Sequence, residues 1–307
     1  MLGWAAAPDS AKLPLMSTSG AAPSLSSPPV RHGYVDTDRA SDAGPLRLHH
    51  LVFTAADAAG LASPREPVVL VHGVTGHAAA WSGVAPLLLG SCEPIAVDLR
   101  GHGASQWSPA HDYATTTHAR DLLVVIDALE RPAVTMVGSS WGALVSLAFA
   151  AANPSRVKRL VLVDIEPSFT QSETDVAPRP HSFATSADVL AFERARNPNA
   201  PDEVLATVAA ASVRPGASGL EPYFDPWFYE RWPFRNDDWW PTLREVTAPT
   251  LVVHAGQSFV RGEVTAQMAE LLPNGRHTEI ASSTHVVPVD APGELARTIL
   301  DFIAATP

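Results

Sequence analysis

The chain has a single cysteine, Cys92, among 307 residues, which excludes an internal disulfide framework and a cysteine-based zinc site. It also lacks any uninterrupted apolar stretch approaching the roughly 20 residues needed to cross a bilayer, so no membrane partner is expected. Basic residues are scarce. With 21 Lys and Arg against 32 Asp and Glu the formal net charge is −11, and no basic stripe interrupts it. Such a balance repels a phosphate backbone, so no nucleic-acid partner is expected, and the acidic surface serves solubility. No internal repeat is present, and no His-Glu-x-x-His or similar spacing suggests a metal. Cys92 precedes Ile95-Ala96-Val97 and reads as a packing residue.

What is there fits an ordinary soluble globular protein: 46% hydrophobic and 17% charged residues, in a chain long enough for a substantial core. Residues 1–32 are rich in Ala, Ser and Pro without periodicity and read as a flexible tail. Pro8, Asp9, Lys12 and Pro14 break up any apolar core a signal peptide would need, and the expected location is the cytoplasm.

From Gly33 onward strand and helix patterns alternate. Val68–Val71, Ile95–Val97, Val134–Val137, Leu160–Val163 and Leu251–Val253 are continuous apolar runs, the pattern of strands buried on both faces of a parallel sheet. Helices are expected over 79–90, 112–130, 141–153, 261–272 and 291–305, and two edge strands over 33–38 and 46–53. The chain therefore reads as a doubly wound α/β core, residues 33–166 and 244–307. Between them, 167–243 carries helical patches and nine aromatic residues, from Tyr223 to Trp240. A segment of that length is not a bare loop and reads as a helical cap.

Gly138-Ser139-Ser140-Trp141-Gly142 lies between an apolar strand and a helical pattern. A Gly-x-Ser-x-Gly in that context is a nucleophile elbow, a strained turn that exposes a serine hydroxyl at a helix N-terminus. His72-Gly73-Val74-Thr75-Gly76 ends an earlier strand, where a turn can aim a backbone N–H into the crevice at the strands' carboxyl ends. The N–H groups of Val74 and Trp141 are the candidate oxyanion hole, and the His72 side chain reads as packed or hydrogen-bonded. His285 lies in a loop at the last strand, after Ser140 in sequence, and is the candidate general base. The other histidines lack this context.

These motifs, with Asp98-Leu99-Arg100-Gly101-His102-Gly103-Ala104-Ser105, resemble the α/β-hydrolase superfamily from Gly33 to the C-terminus. The resemblance implies the α/β-hydrolase fold: a mostly parallel eight-stranded sheet, helices on both faces, and a cap inserted after strand 6. It also implies a loop-organising role for Asp98, Arg100 and His102. One departure concerns the acid. In most relatives a carboxylate follows the penultimate strand, where this chain has Gln257-Ser258-Phe259. Asp164 ends the Leu160–Val163 strand beside the elbow strand, a position similar to that of the acid in zearalenone-type lactonases and certain haloalkane dehalogenases. Asp164 is the leading candidate, with Glu166 and Glu263 as alternatives.

The expected protein is thus a cofactor-independent serine hydrolase of a small hydrophobic ester or lactone. Cap aromatics mostly fill the cap's own core, while Trp227, Tyr223 and Phe259 are the candidate substrate contacts. Two alternatives stand beside it: a C–C bond hydrolase of ring-fission-type diketones, and a ligand-binding module with little turnover. The sequence leaves a homodimer open.

Overall fold

The computed structural model describes residues 29–37, 45–54, 65–168 and 179–306. The tail read over 1–32 lies outside them as far as residue 28, and so do residues 169–178 of the 167–243 segment.

Eight strands form one sheet: β1 (Val30–Asp36), β2 (Arg47–Phe53), β3 (Glu66–Val71), β4 (Cys92–Val97), β5 (Val134–Ser139), β6 (Val157–Val163), β9 (Thr250–Ala255) and β10 (Gly275–Ile280). Their order is β1-β2-β4-β3-β5-β6-β9-β10. β1 pairs antiparallel with β2, and β2 antiparallel with β4, while all later pairs are parallel. The first strand begins at Val30, inside the stretch read as tail.

The apolar runs divide their side chains between two faces with the period of two that a strand imposes. Val69 and Val71 of β3 face one cluster with Met136, Leu160, Leu162 and Val252, covered by α2 (Thr115–Ala128), α3 (Trp141–Ala152) and α7 (Gly262–Leu271). Val68 and Leu70 face the other, with Val137, Val161, Val163 and Val253, covered by α1 (Ala85–Leu88) and α9 (Pro292–Ala304). On α9 the spacing Leu295, Ala296, Ile299, Phe302 makes the buried stripe. The helix expected over 79–90 is broken into a 3-10 turn, Ala78–Trp81, and the short α1. Gly83 stands at the break, and a Cβ there would lie 2.8 Å from Pro292 and from Val204.

Between β6 and β9 the chain forms α4 (Ser186–Arg196), α5 (Asp202–Ala211), the hairpin of β7 (Val213–Gly216) and β8 (Gly219–Pro222), and α6 (Trp240–Leu243). Thr185 and Asp188 cap α4 reciprocally. A small cluster of this segment's own gathers Phe183, Val189 and Ala209 with Phe192 against them, but the buried rings of the aromatic run 223–240 do not add to it. Phe224, Phe228 and Phe234 join the cluster of the sheet and Trp141, and the Phe228 ring lies 4.4 Å from His102 and 4.6 Å from Tyr113. A thin layer of rings buries more area against the large core below than within itself.

Candidate active site

β5 runs directly into Ser140, which has φ 53° and ψ −130°, and α3 begins at the next residue. A non-glycine residue at positive φ is held there only by its surroundings, and the neighbours show what holds it. A Cβ at Gly138 would stand 2.2 Å from the Gly142 carbonyl oxygen, and one at Gly142 would stand 2.4 Å from the carbonyl oxygens of Val71 and His72. Both glycines are therefore obligatory. Ser140 N–H still donates to the Val163 carbonyl at 2.8 Å, so the turn stays anchored to β6.

β6 ends the same way. Asp164 has φ 50°, is fully buried, and donates its N–H to the Val253 carbonyl at 2.8 Å. Its Oδ1 accepts from Ala255 N–H at 2.8 Å, and its Oδ2 accepts from the Ser258 hydroxyl at 2.5 Å. The same Oδ2 lies 2.7 Å from His285 Nδ1, while His285 Nε2 lies 2.9 Å from Ser140 Oγ. The network fits one tautomer: Nδ1–H donates to the carboxylate, and Nε2 accepts from the serine hydroxyl. The loop bearing His285 is tied down by Asp290, whose Oδ2 accepts from Thr284 N–H at 3.1 Å.

The structure brings Ser140, His285 and Asp164 together and leaves the alternative acids elsewhere. Glu166 accepts from Arg261 N–H at 2.9 Å and from its Nη2 at 2.6 Å. Glu263 is exposed in the first turn of α7. Ser258 was visible in the sequence as the place of a missing carboxylate, but its bond to Asp164 required the two loops to meet.

The candidate oxyanion donors flank the serine. Gly73 packs against it closely enough that a Cβ would lie 2.9 Å from Ser140 Cβ. The backbone N–H groups of Val74 and Trp141 have no hydrogen-bond partner among the described residues. The His72 side chain is hydrogen-bonded at both ring nitrogens. Its Nδ1–H donates to the Gly73 carbonyl at 2.7 Å, and its Nε2 accepts from Leu99 N–H at 3.0 Å. Holding that carbonyl turns the opposite end of a trans peptide, the Val74 N–H, the other way. Burial pushes the His72 pKa down to about 4, partly offset by Asp98 and the Gly73 carbonyl, so the ring is neutral as this double bond demands.

His102 is clamped similarly, with Nδ1–H donating to the Arg100 carbonyl and Nε2 accepting from Thr75 N–H, each at 3.0 Å. Arg100, wholly buried, makes a two-pronged pair with Asp121 at 2.5 Å. Asp98 accepts from the N–H groups of Ala78 and Ala104 and from His49. Burial alone would raise its pKa, but these donors and His72 hold it at about 2. The three residues organise the loop beneath the cavity. Cys92 is buried, and burial pushes its thiol up to about 11.

A cavity of about 500 Å³ opens above Ser140 and His285. Its aromatic walls are Trp81, Trp232, Phe234 and Phe259, the last tilted at 42° against the His285 ring with centroids 4.4 Å apart. Of the three substrate contacts expected from sequence, only Phe259 is there. Trp227 instead lies parallel to His111 at 6.3 Å and against Tyr113 at 5.2 Å. Tyr223 binds its backbone to Gly103 and Ser212 and sits near Arg214. Residue type alone does not reveal which rings turn inward. One end of the cavity is polar, lined by His77, Arg179, Glu193, Arg196 and Asn197, none of which the sequence singled out. Among the described residues no group of His, Cys, Asp and Glu could hold a metal ion, and no helix is long and apolar enough to cross a membrane.

Known proteins match this arrangement. The family described as the alpha/beta hydrolase fold matches residues 66–203. The chain is 29% identical over 249 residues to a 2-hydroxy-6-oxo-2,4-heptadienoate hydrolase of Pseudomonas putida, covering 78% of this chain and 89% of that one. It is also 29% identical over 287 residues to an esterase of Mycobacterium tuberculosis, covering 87% and 93%. The crystal structure of E-2-(acetamidomethylene)succinate hydrolase superposes with a TM-score of 0.77 at 25% identity, covering 90% of this chain and 99% of that one. By these matches and by its sheet order, the chain belongs to the α/β-hydrolase superfamily and is a hydrolase of that fold.

Proposed function

We propose that the protein cleaves a carboxylic ester or lactone through an acyl-enzyme, with Ser140 as nucleophile, His285 as general base and acid, and Asp164 as the carboxylate that orients His285. The observation that carries this reading is the unbroken relay from Ser140 Oγ to His285 Nε2 at 2.9 Å and from His285 Nδ1 to Asp164 Oδ2 at 2.7 Å.

As Ser140 Oγ bonds to the carbonyl carbon, its proton passes to His285 Nε2, and the buried Asp164 stabilises the imidazolium. Negative charge collects on the former carbonyl oxygen, where the N–H groups of Val74 and Trp141 receive it. Each such donor typically contributes about 3 to 4 kcal/mol to lowering the barrier. Collapse breaks the bond to the leaving oxygen, which takes the proton from His285. Water, activated by the same imidazole, then releases the acid and restores Ser140. The segment between β6 and β9 acts as a cap that holds the substrate and limits water.

Labelling with a fluorophosphonate, alongside turnover of p-nitrophenyl esters of graded chain length and of aryl lactones, tests the reading. Labelling lost in Ser140→Ala, together with ester turnover, supports it. A wild-type Ser140 that resists the reagent while small ligands still bind would instead make the protein a ligand-binding module.

A second reading, C–C bond hydrolysis, is favoured by the likeness to the heptadienoate hydrolase. It uses the same serine-histidine pair on a ketone carbonyl. Turnover of a vinylogous diketone faster than of any ester would put it first.

A further inference from the structure

The polar end of the cavity holds more positive than negative charge, and its polar atoms are incompletely paired. Arg179 donates from Nη1 to Glu193 Oε1 at 2.7 Å, but its buried Nε has no partner among the described residues. Arg196 has no carboxylate within ion-pair distance among the described residues. His77 and Asn197 are 6% and 2% exposed, both line the cavity, and both carry an unpaired buried atom, His77 Nδ1 and Asn197 Oδ1. An unpaired polar atom at that depth costs on the order of 1–3 kcal/mol, so the buried Arg179 Nε–H is a donor open to an acceptor from outside, whereas Asn197 Oδ1 is itself an acceptor and takes no part in holding an anion.

The arginines are also held in place. The Arg179 guanidinium carbon lies 5.1 Å above the Phe192 ring and that of Arg196 lies 5.6 Å from the same ring. Phe192 is braced in turn by Phe183 at 5.4 Å. Glu193, Arg196 and Asn197 all come from the last turn of α4 and the residue beyond it, so one helix end presents the group as a unit. Burial, followed by Arg179, lowers the Arg196 pKa to about 10, with Glu193 opposing; the guanidinium remains charged near neutrality.

We propose that this cluster binds a carboxylate on the substrate, so that the ester or lactone cleaved at Ser140 carries an acid group on its far side. Two guanidinium groups against one carboxylate leave one positive charge, which a monoanion neutralises and a phosphate would exceed. The planar fork of a guanidinium matches a carboxylate's two oxygens. Trp232, Phe234 and Phe259 supply apolar wall in the same cavity for the rest of such a substrate. This assignment of substrate class rests on Ser140 being the nucleophile, but the binding site itself does not.

The test reads binding apart from turnover. Ser140→Ala protein is titrated calorimetrically with the monoethyl esters of succinate, glutarate and adipate, with their diethyl esters, and with ethyl 4-phosphonobutyrate. The proposal expects at least one monoester to bind tenfold or more tighter than its diester and tighter than the phosphonate. It also expects that preference to vanish in Ser140→Ala/Arg196→Gln while diester binding is retained. Equal binding of monoester and diester, or tighter binding of the phosphonate, overturns it, and the comparison needs no Arg196 variant to be decisive. Turnover in the wild-type protein separates the two readings. Hydrolysis of neutral esters without any carboxylate preference removes the acid site and leaves the serine hydrolase. A carboxylate preference in binding without turnover removes the hydrolase and leaves the acid site.

Discussion

The Ser258 hydroxyl donates to Asp164 Oδ2 at 2.5 Å while lying 3.5 Å from His285 Nδ1. The side chain that occupies the usual place of the acid thus bonds to the carboxylate that meets His285. Asp164 receives three donors, from Ala255 N–H, Ser258 and His285, enough to keep a fully buried charge satisfied.

Asp164→Asn lowers kcat on an activated ester by about 10²- to 10⁴-fold, the scale of losing the orienting acid of a triad. Folding changes little, since the amide oxygen still accepts from Ala255 N–H. A rate near that of the wild type would remove Asp164 from the mechanism.

Ser258→Ala lowers kcat by roughly 3- to 20-fold, since it deletes one hydrogen bond to a charged group. Its effect disappears in the Asp164→Asn background, as expected of a residue that acts only through Asp164. Placing aspartate at 258 in that background recovers part of the lost rate, because the carboxylate then returns to the same imidazole. Additive losses in the double variant would show that Ser258 acts on something else.

Buried neutral histidines make stability fall with acid. Burial lowers the pKa of His72 to about 4 and of His118 to about 3. Below pH 6.5 the unfolded chain takes up protons on these rings while the folded chain does not, so stability is full above pH 6.5 and is lost as pH falls towards the folded values. A pKa near 4 rather than 6.5 corresponds to on the order of 3 kcal/mol for one ring. Denaturant titrations at pH 7, 6, 5 and 4.5 check this. A flat midpoint across that range would contradict it.

Gly142→Ala forces a methyl group to 2.4 Å from two backbone oxygens. The expected loss is about 1–3 kcal/mol of stability, with turnover falling much further because the displaced backbone carries Val74. Thermal unfolding and ester kinetics on one preparation separate the two effects.

Trp232→Ala raises KM for esters with bulky acyl chains, whereas Trp227→Ala leaves it near the wild-type value, since Trp232 lines the cavity and Trp227 packs beside His111. Equal effects would relocate the binding wall.

The sequence exposes what depends on local pattern. Two-sided apolar runs reveal the parallel strands, and the glycines of the elbow reveal a turn that no other residue could make. Asp164 stood out as a candidate because a strand end and an empty place elsewhere pointed to it together, and its carboxylate lies 2.7 Å from His285. Less legible were features that depend on distant segments meeting. The polar cavity end joins His77, after β3, to Arg179 and α4, and nothing in either segment alone marks it. The helix expected over 79–90 failed because periodicity does not register the close approach of Pro292 and Val204 at Gly83.

The left-handed backbone shared by Ser140 and Asp164 has a mechanical side. Ser139 pairs with Val163 in the register of β5 and β6, so the two residues leave adjacent strands at the same level. Both are still stitched by their N–H groups to the next strand, at Val163 and Val253. Ser140 and Asp164 are therefore held to one sheet edge, while the imidazole between them hangs from a separate loop after β10. The relay is thus carried by two fixed ends and one arm, and the tilted ring of Phe259 against the imidazole is what that arm rests on.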